Sequence, residues 1–129
     1  DKGEYDGTLF DAPNTTDPAQ FNEIAINACD LPDPTIKDKW FTAEVKRFFN
    51  YCDKAWQGYT SGYSVAIACV GGNNRSKALA YAVTKNPAFK PTCPAIQAVA
   101  EAYITKKKPE DVPVPVFTSP ATSLRSRAK

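Results

Sequence analysis

Histidine and methionine are absent from the 129-residue chain. Without histidine, the side chain that titrates nearest neutral pH and the commonest metal ligand are both missing. The four cysteines, Cys29, Cys52, Cys69 and Cys93, form no C-x-x-C pair. A structural zinc site is therefore not expected, and no metal or cofactor is implied. No apolar run approaches the ~18 residues that a membrane helix requires. The net charge of +2 is too small to signal nucleic acid or a membrane surface as a partner. Lys106-Lys107-Lys108 falls short of a basic cluster and reads as positive charge complementing a helix C-terminus. The chain begins at Asp1 and has no initiator methionine, so it reads as a processed product or a fragment.

What remains has the composition of an ordinary globular protein, 43% apolar and 23% charged. A chain of this length is expected to form one domain with a real core. Residues 1–108 read as a single compact α/β domain and 109–129 as a Pro/Val-rich C-terminal tail. Tyr5–Phe10 suggests a short edge strand, and Phe21–Ala28 a strand running toward Cys29. Pro32 and Pro34 make 31–38 a loop. From Trp40 to Trp56, apolar residues recur every three or four positions, which predicts a helix with Asp38 as its candidate cap or first-turn acid. Gly58 and Gly62 read as helix stop and strand lead-in. Val65–Val70 is apolar throughout, as in a central strand covered on both faces. A helix from Arg75 should end near Lys85, ahead of Asn86-Pro87. Pro94 opens another helix. In the tail, the alternating valines of Val112-Pro-Val-Pro-Val116 are candidates for burial against the body. The expected fold is a small, mostly parallel sheet flanked by helices.

The stretch Cys69-Val-Gly-Gly-Asn-Asn-Arg-Ser76 carries the chemistry. It lies between the apolar strand and the helix from Arg75. A strand, a glycine-bearing loop and a helix N-terminus make an anion cradle, because free N–H groups and the helix dipole point at the loop. A cysteine there is expected to be reactive. The planar fork of Arg75 can hold two phosphate oxygens. Gly71, Gly72, Asn73 and Asn74 would supply the backbone that binds substrate, since glycine adopts angles that let several N–H groups converge.

This stretch resembles the C-x5-R-[S/T] loop of cysteine-dependent protein tyrosine phosphatases, and its C-x-x-G-x-x-R-S form looks most like the dual-specificity branch. The resemblance implies that Cys69 is a nucleophile passing through a cysteinyl-phosphate, Arg75 the phosphate clamp, and Ser76 the hydroxyl that assists thiolate release. It also implies an aspartate on a separate upstream loop that protonates the leaving oxygen. Asp30, directly after the apolar run, is the first choice and Asp33 the reserve. The aromatic pair Trp40-Phe41 is similar to the one opening the next helix in that family. Ala68 stands where the family usually has histidine. The implied partner is a phosphorylated substrate; relatives act on phosphotyrosine, phosphoserine, phosphoinositides and RNA 5′-phosphates.

Two other readings of the same residues stay open. Cys69 can be apolar filler at a strand end, with Arg75 capping or pairing with a carboxylate. Four cysteines allow two disulfides, and Asn14-Thr-Thr16 and Asn74-Arg-Ser76 fit the glycosylation pattern. On that reading the chain is a secreted disulfide-stabilised binding protein, toxin subunit or effector, without enzymatic activity. The third reading keeps the loop as an anion site that performs no catalysis. Localisation follows the choice: cytoplasmic for the phosphatase, secreted if the cysteines are paired.

Overall fold

The computed structural model describes residues 8–10, 23–69 and 74–117, with backbone alone at 8–10 and at Glu23. Three strands form one sheet in the order β1-β3-β2: β1 (Thr8–Phe10), β2 (Glu23–Asn27) and β3 (Ser64–Ala68). β2 runs parallel to β3, from Glu23 opposite Ser64 to Asn27 opposite Ala68. β1 is antiparallel to β3, with Leu9 opposite Ala66. The fold is α/β, and its parallel pair needs a crossover because parallel neighbours cannot be joined by a tight turn. Helix α1 (Thr42–Thr60) supplies that crossover. Helices α2 (Arg75–Thr84) and α3 (Pro94–Ile104) follow.

Alternation along β3 is sharper than a strand buried on both faces would show. Val65, Ile67 and the following Cys69 are buried, whereas Ala66 and Ala68 are half-buried. Helix α1 starts later than its apolar pattern suggests. Asp38 does not cap it; the Asp38 carbonyl accepts the Phe117 N–H at 2.6 Å instead. The Glu44 carboxylate caps the helix by accepting the Phe41 N–H at 2.7 Å. Burial raises the Glu44 pKa, but hydrogen bonds from Lys37 and the Phe41 N–H outweigh it, and the net direction is down. The helix also runs past Gly58, where a Cβ would collide with the side chain of Ile24 on β2. It ends in a turn at Gly62, whose φ of +91° suits glycine.

Helix α2 is enclosed: Ala78, Leu79, Ala80, Tyr81, Ala82 and Val83 are all buried. Its three alanines let α1, α3 and the sheet pack closely around it. The rest of the core gathers Trp40, Phe48, Ile67, Ile96 and Val99. The segment after α3 packs through the residues between its valines. Pro115 and Phe117 are buried, while Val114 and Val116 are exposed. Phe117 meets Trp40 edge-on at 5.2 Å, and Val116 bridges to Lys39. The Trp40 indole N–H donates to the Pro32 carbonyl at 3.2 Å, so this contact also holds the loop after β2.

Candidate functional site

The parallel register brings the ends of β2 and β3 side by side. Asn27 lies opposite Ala68, so Cys69 emerges next to the chain that continues into the 3-10 turn Ala28–Asp30. The Asn27 side chain fixes that turn by accepting the Cys29 N–H at 3.0 Å. Gly71, Gly72 and Asn73 lie outside the described residues. Asn74 precedes α2, and its side-chain oxygen accepts from Thr92 Oγ1 and Cys93 N, each at 2.9 Å. That carboxamide ties the start of α2 to the start of α3.

Cys69 is only 1% exposed, and Ser76 is fully buried beside it. The Ser76 N–H donates to Cys69 Sγ at 3.3 Å, and the thiol donates to Ser76 Oγ at 3.3 Å. If the sulfur gives up its proton, the second bond can reverse, with the hydroxyl donating to the thiolate. The sulfur therefore sits at the positive end of α2, with a backbone donor and a reversible hydroxyl aimed at it. All four cysteines are thiols. Cys52 is equally buried but lies in the core face of α1, where burial, and secondarily the charge of Asp53, push its pKa well up.

Arg75 follows the loop and is 4% exposed. Its Nη1 donates to the carbonyls of Leu31 at 2.8 Å and Cys29 at 3.3 Å. Its Nη2 lies 3.7 Å from the Asp33 carboxylate. The guanidinium thus links the Cys69 end of α2 to the loop carrying both candidate aspartates. Those two carboxylates have different partners. Asp30 accepts from the Tyr51 hydroxyl, at 2.5 Å to one oxygen and 2.7 Å to the other. Arg47 donates to the Asp30 carbonyl at 3.2 Å. Burial first, then the bond to Asp30, push the Tyr51 pKa up to about 12. Asp33 Oδ1 accepts from Thr35 N at 2.9 Å and Thr35 Oγ1 at 2.8 Å, leaving its other oxygen toward Arg75.

Cys69, Ser76, Arg75 and Asp33 are therefore assembled around one end of α2, while Asp30 is held from α1. Sequence reasoning missed Arg47 and Tyr51. Their spacing of four residues puts them on one helical face, outside the aromatic stripe that drew attention to α1. Among the described residues, no cluster of histidine, cysteine, aspartate and glutamate could hold a metal ion. No helix among them is long and apolar enough to cross a membrane. No family model, curated protein or solved structure matches the chain.

Proposed function

We propose that the protein hydrolyses phosphoesters through a cysteinyl-phosphate intermediate, as a small phosphatase of dual-specificity type. The observation that carries this reading is the placement of Cys69 Sγ against the Ser76 N–H and hydroxyl, with Arg75 beginning the same helix. In this mechanism Cys69 first loses its thiol proton to solvent. The thiolate then attacks phosphorus, and the bond to the leaving oxygen breaks as an aspartic acid protonates that oxygen. Arg75 exchanges Asp33 for two phosphoryl oxygens, and loop N–H groups take the remaining charge. Such positioning supplies most of the rate in phosphoryl transfer.

We assign proton donation to Asp33 in preference to Asp30. Asp33 lies beside the clamp that would hold the phosphate, whereas Tyr51 and Arg47 anchor Asp30 toward α1. In the second step a water attacks the cysteinyl-phosphate and gives its proton to the Asp33 carboxylate. The Ser76 hydroxyl donates to the departing thiolate, and inorganic phosphate leaves.

The test is turnover of para-nitrophenyl phosphate by reduced protein, combined with iodoacetate labelling of Cys69. Turnover, together with phosphate protection of Cys69 from alkylation, is the expected result. Phosphate protection without turnover would reduce the site to an anion binder. Absence of a titratable Cys69 thiol, even in denaturant without reductant, would assign the chain to the disulfide-stabilised secreted class.

A further inference from the structure

The far end of α2 borders a second site. There the C-terminal ends of α2 and α3 and one face of α1 enclose a groove of about 620 Å³. Lys85, Lys106, Lys107 and Lys108 line it, and all four are exposed. None of them has a carboxylate partner among the described residues. The one acidic residue in the lining, Asp53, accepts a 2.6 Å hydrogen bond from the Tyr103 hydroxyl. Trp56 stands in the wall, 45% exposed, while the chain's other tryptophan, Trp40, is fully buried.

Two of the lysines occupy backbone positions that disfavour them. Lys85 has φ 60° and Lys106 φ 67°, each just past a helix end where glycine is preferred. A side chain in that left-handed conformation costs about 1 kcal/mol. Complementing the helix dipoles requires positive charge nearby but not at the left-handed residue itself. Lysine at both positions, from two different helices and facing one groove, points to a ligand that the charges serve.

We propose that this groove docks an acidic segment of a partner protein. Carboxylates of the segment engage the lysines, and one apolar side chain packs on Trp56. A peptide fits better than single-stranded nucleic acid. Successive bases need a series of open aromatic faces. Here Tyr103 packs edge-on to Phe49 at 5.3 Å and is bound to Asp53, leaving Trp56 as the exposed aromatic. Asp53 repels carboxylate and phosphodiester alike, but a peptide can set a backbone N–H against it between its acidic side chains, whereas a phosphodiester strand carries a charge at every unit. Helix α2 has ten residues, so the groove lies about 15 Å from the Cys69 end, and docking does not depend on any reaction there.

The experiment uses the full chain and a fluorescein-labelled peptide with glutamates on both sides of a Leu-Phe pair. An all-glutamate peptide and an oligothymidylate are the comparators. Anisotropy should show saturable binding of the Leu-Phe peptide, weakened by salt and by roughly tenfold or more in a Lys107→Glu/Lys108→Glu variant. Trp56→Ala should weaken the Leu-Phe peptide while leaving the all-glutamate peptide unaffected. Circular dichroism melts check that the variants remain folded. Three results would overturn the proposal: no binding of the Leu-Phe peptide, affinity unchanged by charge reversal, or tighter binding of the oligothymidylate.

Discussion

At the start of α2, Arg75 and Ser76 are buried polar residues with every partner close by. Just past its end, Lys85 is exposed, in a left-handed conformation, with no carboxylate beside it among the described residues. Burying a guanidinium is unfavourable unless hydrogen bonds and charge compensate it, and two carbonyls and Asp33 do so here. Leaving a lysine at a position suited to glycine is a smaller penalty, offset within the described residues only in part, by its charge at the C-terminal end of the helix. The contrast separates two kinds of polar site. The first is built into the core and cannot be removed without harm to the fold. The second is carried on the surface, and the fold would tolerate its loss.

The sharpest test of the buried end is Cys69→Ser. A hydroxyl at Cys69 keeps the bonds to Ser76 but is a far weaker nucleophile. Turnover of an aryl phosphate should fall at least about a thousandfold, with the thermal melt little changed. A variant that retains activity would break the assignment of Cys69. Arg75→Ala should damage both function and fold. It leaves the carbonyls of Cys29 and Leu31 and the Asp33 carboxylate without their cation, so a loss of about 2–4 kcal/mol in urea unfolding is expected. Phosphate should then no longer protect Cys69 from iodoacetate.

The two aspartates sharpen the comparison within one loop. Asp33→Asn should lower turnover by about a hundredfold and flatten the pH profile on its alkaline side, the signature of a lost general acid. Asp30→Asn should leave that limb in place and show its effect mainly as lower stability. A reversed outcome, with Asp30→Asn flattening the profile, would restore the role to Asp30.

These aspartates also mark where sequence reasoning stopped. A continuous apolar run was enough to expect a strand from Val65, though not its alternating burial, and local start and stop signals were enough for the helix beginning at Arg75 and the one opened by Pro94. The partner of each carboxylate depends instead on the short turn Ala28–Asp30, fixed by the Asn27 side chain. Such local side-chain bonds leave no periodic trace. The segment after α3 teaches the same lesson. Its valines alternate as a buried strand face would, yet Pro115 and Phe117 face inward. A shift of one residue exchanges the two faces, and the contact of Phe117 with Trp40 decides which is buried.

Tyr51 gives a test that depends on pH. Its pKa is raised from 10 to about 12 in the folded chain, by burial and by the bond to Asp30. The folded state therefore holds the proton more tightly than the unfolded one. The stabilisation is complete below pH 10 and is lost as pH rises through about 12. Tyr51→Phe should cost about 1 kcal/mol at neutral pH, discounted for exposure, and should shallow the alkaline decline in stability. Part of the decline should remain. Burial and the Glu101 bond also raise the Tyr81 pKa, and burial and the Asp53 bond raise that of Tyr103.

The smallest expected effect lies at the exposed end of α2 and has the opposite sign. Lys85→Gly relieves the left-handed strain while keeping the helix-ending bond from the residue 85 N–H to the Tyr81 carbonyl, 2.8 Å long in the native chain. Glycine also gains entropy in the unfolded chain and removes a charge that complements the dipole, so the net gain should be below about 1 kcal/mol. Urea unfolding read beside peptide anisotropy separates the two roles of this lysine. A more stable variant that binds the acidic peptide more weakly would show that the side chain serves the groove at the expense of the helix. A less stable variant would show that its charge at the end of α2 outweighs the strain, making Lys85 part of the fold as Arg75 is.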